Sequence, residues 1–514
     1  MLMFDTHLNP DANRPGDAAH ERLLYRSQFI LGRKPVDLFA APRQLTIRQV
    51  LHLTVHPDLN LQVARHQEKM IVLLGFILDP ENPRAGDADI IENFASRMDR
   101  CEDLFGLTRR FGGRWILIGD DGKDTILFND TAGLRQVFYS DVRGGKDLWC
   151  GSDPGVMGNV LNLQISPEAA EFVHSPEITR NPEHWWPGDS SPFSEIRHLL
   201  PNHYLNLGDG SCHRYWPNEN LPALSLETAV QECSRLLTGS LAAAAERFEL
   251  ALPLTAGWDS RLLLAATKDI RTRLNYFTLK IKAANLTELH PDLAVPRALL
   301  GRLGLRHGVI ELPDKVDQQF SAIFERSVAR AHNVWCLDAQ AILEFYGLQK
   351  AVIAGGVSEV ARNFYAPPRY FERNMTGEKL ASIAGMSQHP FAIKYFNEWL
   401  STLGRTYNFR VLDLFYWEQR AGNWLAMCQK EFDVAWAEIF TPYNNRQLLT
   451  NMLAVKKLYR RSPNYTLYRE MILHLWPDVL EFPINPHKVP SALTSLKSRV
   501  RNQLVNVKYF LVDR

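Results

Sequence analysis

From Met70 onward, apolar residues recur in short stretches that turns separate. The run MIVLLGFIL predicts a strand, and GGRWILIGDDGKDTILFND predicts two strands joined by a hairpin across residues 120–123. Further short strands are predicted over QVFYSD and DLWCGSD, a second hairpin over HYLNLGDGSCHRYWPN, and a helix over DADIIENFASRM. The pattern therefore predicts a strand-rich first domain over residues 66–216.

The pattern of apolar and polar residues changes after residues 217–225, PNENLPALS. The prolines and asparagines of this segment are typical of a linker. The apolar pattern then predicts helix and strand in turn, over SLETAVQECSRLLTGSLAAAAERF, LALPL, SRLLLAATK, LNYFTL, DLAVPRALLGRLGL and HGVIEL. Such alternation indicates βαβ units and a parallel sheet. Beyond about Tyr370 the pattern is mostly helical. We therefore expect an α/β fold with a second domain over residues 226–514, and we interpret residues 1–65, which show few periodic signals, as a peripheral N-terminal extension.

Composition indicates an ordinary globular protein with more than one domain. The chain has 514 residues, of which 46% are hydrophobic and 22% charged, and its net charge is +1. A charge so close to zero gives no argument for nucleic-acid or membrane binding. The segment from Asn451 carries eleven Lys and Arg against four Asp and Glu. These charges are dispersed, which favours a solvated face over an anion-binding surface.

Cysteine usage and the apolar runs indicate a cellular location. The six cysteines are far apart and form no C-x-x-C pair or zinc-type spacing, so we expect free thiols in a reducing compartment. The longest apolar run, MIVLLGFIL, is too short to cross a bilayer, and the first residues lack a signal-peptide pattern. We expect a cytoplasmic protein without a membrane span.

The residues TAGWDS at positions 255–260 join a predicted strand to a predicted helix. At that place in a parallel sheet, a helix presents unpaired N–H groups and the positive end of its dipole. Ala256 and Gly257 allow close approach to the backbone, while Thr255 and Ser260 supply hydroxyls. With the carboxylate of Asp259, this predicts an anion site beside a metal-binding acid. The alternative is a plain loop in which Asp259 or Ser260 caps the helix.

A second turn has the same character. The apolar stretch AVIA runs into Gly355 and Gly356 and then reaches Glu359 at the start of a predicted helix. If both turns lie at strand ends of one sheet, Asp259 and Glu359 are placed to bind one Mg²⁺ ion. The phosphate groups of a ligand would bind the same ion. The standard phosphate-binding patterns G-x-x-x-x-G-K-[ST] and G-x-G-x-x-G are absent here.

Together the two turns resemble signatures of the asparagine synthetase family. Residues 255–260 follow its pyrophosphate loop, S-G-G-x-D-S, and residues 354–360 fall without a gap on its second signature, S-G-E-G-S-D-E. The segment HPDLAVPRALLGRLGLRHGVIEL also resembles the family, with Asp292 at its acidic position. Stretches from VLLGFILDP to EIRHLLPNHYLNLGDGSCHRYWP follow the strands of the family's glutaminase half, so the resemblance covers residues 70 to about 490.

The resemblance implies a fold and a set of ligands. The fold is an N-terminal, degenerate Ntn-hydrolase-like αββα domain, followed by an adenine-nucleotide α-hydrolase-like domain (PP-loop ATP pyrophosphatase) with a helical C-terminal part. The implied cofactors are ATP and Mg²⁺, with Asp259 and Glu359 as catalytic and metal-binding residues. The residues implied to bind the nucleotide are Leu254, Thr255, Ala256, Gly257, Ser260, Thr278, Ala354, Gly355 and Gly356.

Three departures from the family concern glutamine hydrolysis. The family's nucleophile is a Cys exposed by removal of the initiator Met, and here position 2 is Leu. The family's R-G-P segment is missing, and Leu74, Gly75 and Phe76 stand in place of its N-G-E segment. We therefore expect that this domain does not release ammonia from glutamine. Gly356 also replaces the glutamate of the second signature, so an acid–base role there is lost or moved.

These features predict a ligase that adenylates a carboxylate and transfers it to an amine without glutamine. Lys488, in NPHKVPS, is the positional candidate for a lysine that stabilises intermediates in the family, and its alternative is a surface lysine in a basic tail. Four polar residues in an aromatic setting either line an acceptor pocket or form a helix face with i,i+3 charge pairs. These are Glu418, Arg420, Glu431 and Asp433.

The resemblance leaves the substrates open. Relatives with degenerate glutaminase domains include lasso-peptide cyclases, β-lactam synthetases and enzymes encoded among surface-polysaccharide genes. The expected partners are therefore a small-molecule or peptide carboxylate and an amine, with a second copy of the chain or a biosynthetic partner protein as a further expectation. The competing hypothesis is a non-catalytic protein that keeps the fold and binds ATP or serves as a scaffold.

Overall fold

The first half of the chain forms two antiparallel sheets that stack face to face. The structure is a computed structural model that describes residues 22–142, 146–280, 290–367 and 369–486. The strands are β1 (Phe29–Gly32), β2 (Arg43–Ile47), β3 (Leu51–Val55), β4 (Leu61–His66), β5 (Lys69–Leu78), β6 (Gly112–Asp120), β7 (Thr125–Asn129), β8 (Phe138–Ser140), β9 (Cys150–Gly151), β10 (Ile196–His198), β11 (His203–Asn206) and β12 (Cys212–Arg214). One sheet has the order β10-β8-β9-β1-β3-β2 and the other β12-β11-β7-β6-β5-β4.

Helices cover the outer faces of both sheets. They are α1 (Asp87–Arg97), α2 (Asp103–Leu107) and α3 (Pro154–Leu161), whereas α4 (Pro167–His174) and α5 (Pro176–Thr179) pack in the core shared with the second half. In β5, Val72 and Leu74 pack in the core between the sheets, whereas Ile71 and Leu73 pack with residues of α1 and α2. Because both faces are covered, β5 is apolar along nearly its whole length, as the run MIVLLGFIL indicated. The layering is helix, sheet, sheet, helix, since α3 packs on the outer face of the other sheet.

Residues 22–65 belong to this half, so the predicted peripheral extension over residues 1–65 is wrong for the part that the structure describes. β1 lies inside its sheet, paired with β3 on one side and β9 on the other. β4 pairs along its whole length with β5. The pattern missed β1 because this strand is a run of only four buried residues, which periodicity cannot assign.

The second half contains the predicted parallel sheet. Its strands are β13 (Leu250–Pro253), β14 (Leu274–Lys280), β15 (His307–Glu311), β16 (Ala351–Ile353) and β17 (Glu438–Phe440). They are parallel throughout and lie in the order β15-β14-β13-β16-β17. The chain proceeds from β13 to β14 and β15 on one side and then returns to β16 on the other side of β13. The strand order therefore reverses between β13 and β16.

Helices cover both faces of the parallel sheet. Those of the second half are α6 (Leu226–Ala245), α7 (Trp258–Ala266), α8 (Pro291–Arg302), α9 (Gln318–Ser327), α10 (Cys336–Tyr346), α11 (Gly377–Ile383), α12 (Pro390–Thr402), α13 (Val411–Phe415), α14 (Ala426–Glu431), α15 (Arg446–Leu453) and α16 (Thr466–Leu475), with a π-helix over Tyr416–Leu425. Leu250 and Leu252 of β13 pack with α6 and α7, and Ala251 packs with α9 and α10. None of the described helices is long and apolar enough to cross a membrane.

The two halves are joined by a shared apolar core and by buried ion pairs. The prediction of i,i+3 charge pairs for the four polar residues of 418–433 is wrong, because three of the four side chains pair with the first half, whereas the acceptor pocket stays a prediction. Glu418 binds Arg214 through both carboxylate oxygens, Asp433 does the same with Arg114, and Arg420 pairs with Glu183. The fourth, Glu431, pairs with His332. A local sequence pattern cannot show partners that lie about 100 to 300 residues away.

Candidate functional site

The loop at residues 255–260 leads directly from β13 into α7. The helix begins after Gly257, and no described side chain caps it, so the alternative that Asp259 or Ser260 is the N-cap is wrong. Thr255 Oγ1 accepts a hydrogen bond from the Gly257 amide at 3.2 Å and lies 3.2 Å from Ser260 Oγ. The two hydroxyls therefore brace the loop itself. The uncapped first turn of α7 leaves backbone N–H groups for a ligand.

Neighbouring segments hold this loop at its backbone. The Ala256 amide donates to Asp292 Oδ1 at 2.8 Å, and its carbonyl accepts from the Asn485 amide at 2.8 Å. Beneath the loop, buried Thr278 donates from Oγ1 to the Leu254 carbonyl at 2.8 Å. Leu254, Thr278 and Asp292, three of the residues singled out in the sequence, thus position the loop through hydrogen bonds.

The loop after β16 approaches the first loop closely. A Cβ on Gly355 would lie 3.3 Å from Cβ of Asp259, and one on Gly356 would lie 2.6 Å from Leu425. The Ala354 amide donates to the Phe440 carbonyl at 2.7 Å, which ties the loop to β17. Position 356 therefore has no space for a side chain. The two loops meet at the point where the strand order reverses.

Val357 has a backbone conformation that is unusual for a β-branched residue. Its φ is +71° and its ψ is −31°, and its side chain is fully buried. Such a conformation costs about 1–3 kcal/mol and occurs where the surrounding structure enforces it. Val357 stands where the signature S-G-E-G-S-D-E has its second glycine, a residue without that cost. The predicted helix at Glu359 is instead a single 3₁₀ turn over Ser358–Val360.

Asp259 and Glu359 lie together at this edge and share two partners. Ser358 Oγ donates to Asp259 Oδ1 at 2.6 Å and lies 3.5 Å from Glu359 Oε2. One guanidinium nitrogen of Arg362 lies 3.0 Å from Asp259 Oδ2 and 2.8 Å from Glu359 Oε1. The two carboxylate side chains are 23% and 21% exposed, so a ligand can reach them. The expected pair is thus brought together, with Arg362 bridging it.

Burial and the nearby Glu359 together raise the pKa of Asp259 to about 7, and Arg362 and the Ser358 hydroxyl only partly oppose them. Two carboxylates and one guanidinium leave a formal charge of −1 when both acids are ionised. A divalent cation would therefore be electrostatically favoured at this pair.

Sequence reasoning missed several residues around the pair. The spacing of Glu359 and Arg362, three residues apart, was the only local signal for the bridge. Tyr468 donates from its hydroxyl to the Ser358 carbonyl at 3.0 Å, and the Tyr465 ring lies 5.7 Å from the Arg362 guanidinium. The hydroxyl of fully buried Tyr443 has no hydrogen-bond partner among the described residues. These tyrosines lie about 100 residues further along the chain, so no local pattern points to them.

A buried arginine fixes the C-terminal segment beside the loop. Arg261 in α7 donates to the carbonyls of Val479 at 2.7 Å, Phe482 at 2.9 Å and Pro483 at 3.2 Å. These bonds hold the segment that leads to Asn485, whose amide contacts the loop at Ala256. The prediction for Lys488 lies outside the described residues.

The residues present fit a magnesium–nucleotide ligand in part. Mg²⁺ typically binds one or two carboxylates together with waters and phosphate oxygens, and the Asp259–Glu359 pair is such a donor set. The glycine at 355 and the uncapped α7 turn leave the backbone accessible to phosphate, which helix N-termini favour. Arg362 now makes the contacts with both carboxylates that a cation would make, so it would have to share or leave them.

Comparisons with known proteins add little to this geometry. No family model matches the chain, and no curated protein matches it. Among solved structures, a glutamine phosphoribosylpyrophosphate amidotransferase from B. subtilis, complexed with ADP and GMP, aligns over 63% of this chain and 92% of its own. Its TM-score is 0.24 and its identity 9%, which carries no argument about function. Membership of the asparagine synthetase family stays a prediction.

Proposed function

We propose that this chain is an ATP-dependent amide-forming ligase that adenylates a carboxylate, releases pyrophosphate and transfers the acyl group to an amine without glutamine. The observation that carries the proposal is the meeting of the two loops where the strand order reverses, between β13 and β16. In open α/β sheets, ligands bind outside the carboxyl ends of the strands at such a point. In this proposal, the second half has the PP-loop ATP pyrophosphatase fold and the first half is a degenerate Ntn-type domain.

The acidic pair and the loop backbone have distinct roles in the proposed reaction. Asp259 and Glu359 would hold Mg²⁺, which would neutralise the charge that develops on the phosphates during adenylation. The N–H groups at the start of α7 would bind the pyrophosphate. Ser358 orients Asp259 through its 2.6 Å hydrogen bond, and Arg362 keeps the two carboxylates together. Lys488 remains the proposed lysine for the acyl intermediate.

The environment of Leu74, Gly75 and Phe76 supports independence from glutamine. Leu74 is buried in the core between the two antiparallel sheets and Phe76 in the core shared with the second half, so neither side chain is free to bind a substrate. A Cβ on Gly75, whose φ is +96°, would lie 2.2 Å from the Arg114 carbonyl oxygen and 2.7 Å from Nε of Arg135. Apolar packing and a buried arginine therefore surround the segment that stands in place of N-G-E.

Pyrophosphate exchange tests the proposed chemistry. The protein is incubated with ATP, Mg²⁺, radiolabelled pyrophosphate and a panel of carboxylates, peptides and uronic acids among them. We expect exchange of label into ATP with at least one carboxylate, and a loss of about 100-fold or more in Asp259→Asn, since removing one charge-stabilising group typically costs about that much. Asp269→Asn, on the exposed surface after α7, is the matched control and should exchange like the wild type.

The Arg362 bridge favours one alternative, a non-catalytic protein that binds ATP or a partner. A guanidinium that satisfies both carboxylates can serve as a permanent structural ion pair. Calorimetry with ATP, with and without Mg²⁺, separates the two functions. Magnesium-dependent binding accompanied by pyrophosphate exchange, both weakened in Asp259→Asn, supports the ligase, whereas binding without exchange for any carboxylate supports the alternative.

A further inference from the structure

A second group of metal-ligating side chains lies away from the carboxylate pair. His332 Nδ1 is 2.8 Å from Glu431 Oε1 and 4.0 Å from Cys428 Sγ. The three ligand atoms lie within 4.8 Å of one another, and in the part of the chain that the structure describes this is the one group of three such residues so close together. Cys428 and Glu431 are three residues apart at one face of α14, and His332 comes from the segment after α9.

The surroundings orient the His332 ring as a ligand. Its Nε2 lies 2.7 Å from the backbone carbonyl oxygen of His184, so Nε2 carries the proton that this bond needs. A carbonyl acceptor on the far nitrogen is the usual arrangement around metal-binding histidines, because it fixes the tautomer and the ring plane. The other nitrogen, Nδ1, faces Glu431 and Cys428 and donates its proton to the Glu431 carboxylate, so a cation that takes the place of this proton would bind at Nδ1. The backbone amide of His332 also donates to Glu431 Oε1 at 2.8 Å and steadies the carboxylate.

We propose that His332, Cys428 and Glu431 form a zinc site. An imidazole nitrogen, a thiolate and a carboxylate are all zinc ligands, and three protein ligands leave a fourth position of the tetrahedron open. Binding would release the Nδ1 proton and the thiol proton, so that Zn²⁺, one thiolate and one carboxylate form a neutral group. Such a group is suited to the site, since the side chains of His332 and Glu431 are fully buried. The half-buried Cys428 offers the way in from solvent.

The proposed site lies beside the junction of the two halves. His184, which supplies the carbonyl, belongs to the first half, whereas all three ligands belong to the second. Beside them Glu183 of the first half pairs with Arg420 of the π-helix, so its carboxylate already has a cationic partner. The site therefore contacts the first half through the His332 ring and is separate from the proposed ligase chemistry. The cysteine spacing gave no sign of it, because two of the ligands are not cysteines.

Cobalt substitution tests the site without using enzyme activity. The full-length protein is freed of metal with a chelator and titrated with Co²⁺, which replaces Zn²⁺ and reports thiolate ligation by a near-ultraviolet charge-transfer band. We expect one Co²⁺ per chain with that band, displacement by one equivalent of Zn²⁺, and a rise in the midpoint of thermal unfolding on binding. A protein that binds no metal at one equivalent, or binds it without the band, would overturn the proposal.

Two variants locate the ligands. Cys428→Ser should lose the band and bind at least about tenfold more weakly, whereas Cys212→Ser, which removes the exposed cysteine, should behave like the wild type. A band that survives in Cys428→Ser or disappears in Cys212→Ser would contradict the assignment. If Cys428→Ser does not fold, X-ray absorption of the wild-type zinc protein decides. One sulfur at about 2.3 Å supports the site, and nitrogen and oxygen neighbours alone refute it.

Discussion

At the scale of single residues, Asp259 carries a charge that burial and the nearby Glu359 disfavour. Burial and the neighbouring Glu359 raise the pKa of this carboxyl to about 7. The sequence allowed Asp259 and Glu359 to be selected, because both follow apolar strands and small residues. It could not indicate Arg362 as their bridge or Tyr468 as a support for Ser358, since those contacts depend on how the loops and α16 come together.

The raised pKa of Asp259 predicts how stability depends on pH. The native pKa of about 7 exceeds the unfolded value of about 3.9, so between these values the native state binds more protons and stability falls as pH rises. The loss is at most about 1.4 kcal/mol per pH unit. Without divalent cations, Asp259→Asn should lack this loss and be more stable than the wild type at pH 8.

Thermal unfolding at pH 5 and pH 8 is the measurement for this prediction. The gain of Asp259→Asn over the wild type should be larger at pH 8 than at pH 5, and Asp269→Asn should show no such difference. An equal offset at both pH values would mean that Asp259 titrates with its ordinary pKa in the folded protein.

At the scale of elements, apolar runs identified the strands on both sides of the site. Contacts between elements determine the parts of the structure that these runs did not predict. β13 and β16 were predicted because both of their faces are covered and they read as continuous apolar stretches. β17 was not predicted, because three residues at a sheet edge lie within a segment of helical pattern. The helix expected at Glu359 is a single turn that follows Val357, whose positive φ no amino-acid pattern would suggest.

Arg261 is the residue by which α7 holds the C-terminal segment. Arg261→Ala would leave the carbonyls of Val479, Phe482 and Pro483 without their donor, at about 1–3 kcal/mol for each one that stays buried. We therefore expect local opening of residues 477–486 to become easier by about 2–4 kcal/mol. Hydrogen exchange of these amides, followed by mass spectrometry, measures the change.

Arg302→Ala is the matched control for Arg261→Ala, since Arg302 contacts the same segment only through an exposed ion pair with Glu481 at 3.1 Å. Such a pair contributes at most about 1 kcal/mol, so exchange there should hardly change. Equal acceleration in the two variants would show that Arg261 does not anchor the segment.

At the scale of the whole molecule, buried ion pairs connect the two halves of the chain. Asp433 and Arg114 are both almost fully buried and form two hydrogen bonds, at 2.5 and 3.1 Å. The Asp433 carbonyl also accepts a hydrogen bond from Arg26. Breaking a buried pair by removing one partner leaves an uncompensated charge, whereas replacing both partners with apolar residues is often neutral.

We therefore expect Asp433→Ala to lower the free energy of unfolding by about 3–5 kcal/mol. The double variant Arg114→Met/Asp433→Leu should recover most of this loss. Urea unfolding followed by tryptophan fluorescence compares them, with Arg235→Ala at an exposed pair as the control. A double variant as unstable as the single one would show that the junction needs the charges themselves.

The position of β1 inside its sheet has a consequence for the newly made chain. Phe29 to Gly32 gain one neighbour from β3 soon after synthesis, but the other edge stays open until Cys150 and Gly151 have emerged from the ribosome. The partners of Arg114 and Arg214 follow only at Asp433 and Glu418, more than 200 residues later. At ribosomal speeds of about 5–20 residues per second, the open edge of β1 and the two arginines remain without their partners for many seconds. The first half can therefore complete its sheet and its buried ion pairs only after most of the chain has been made.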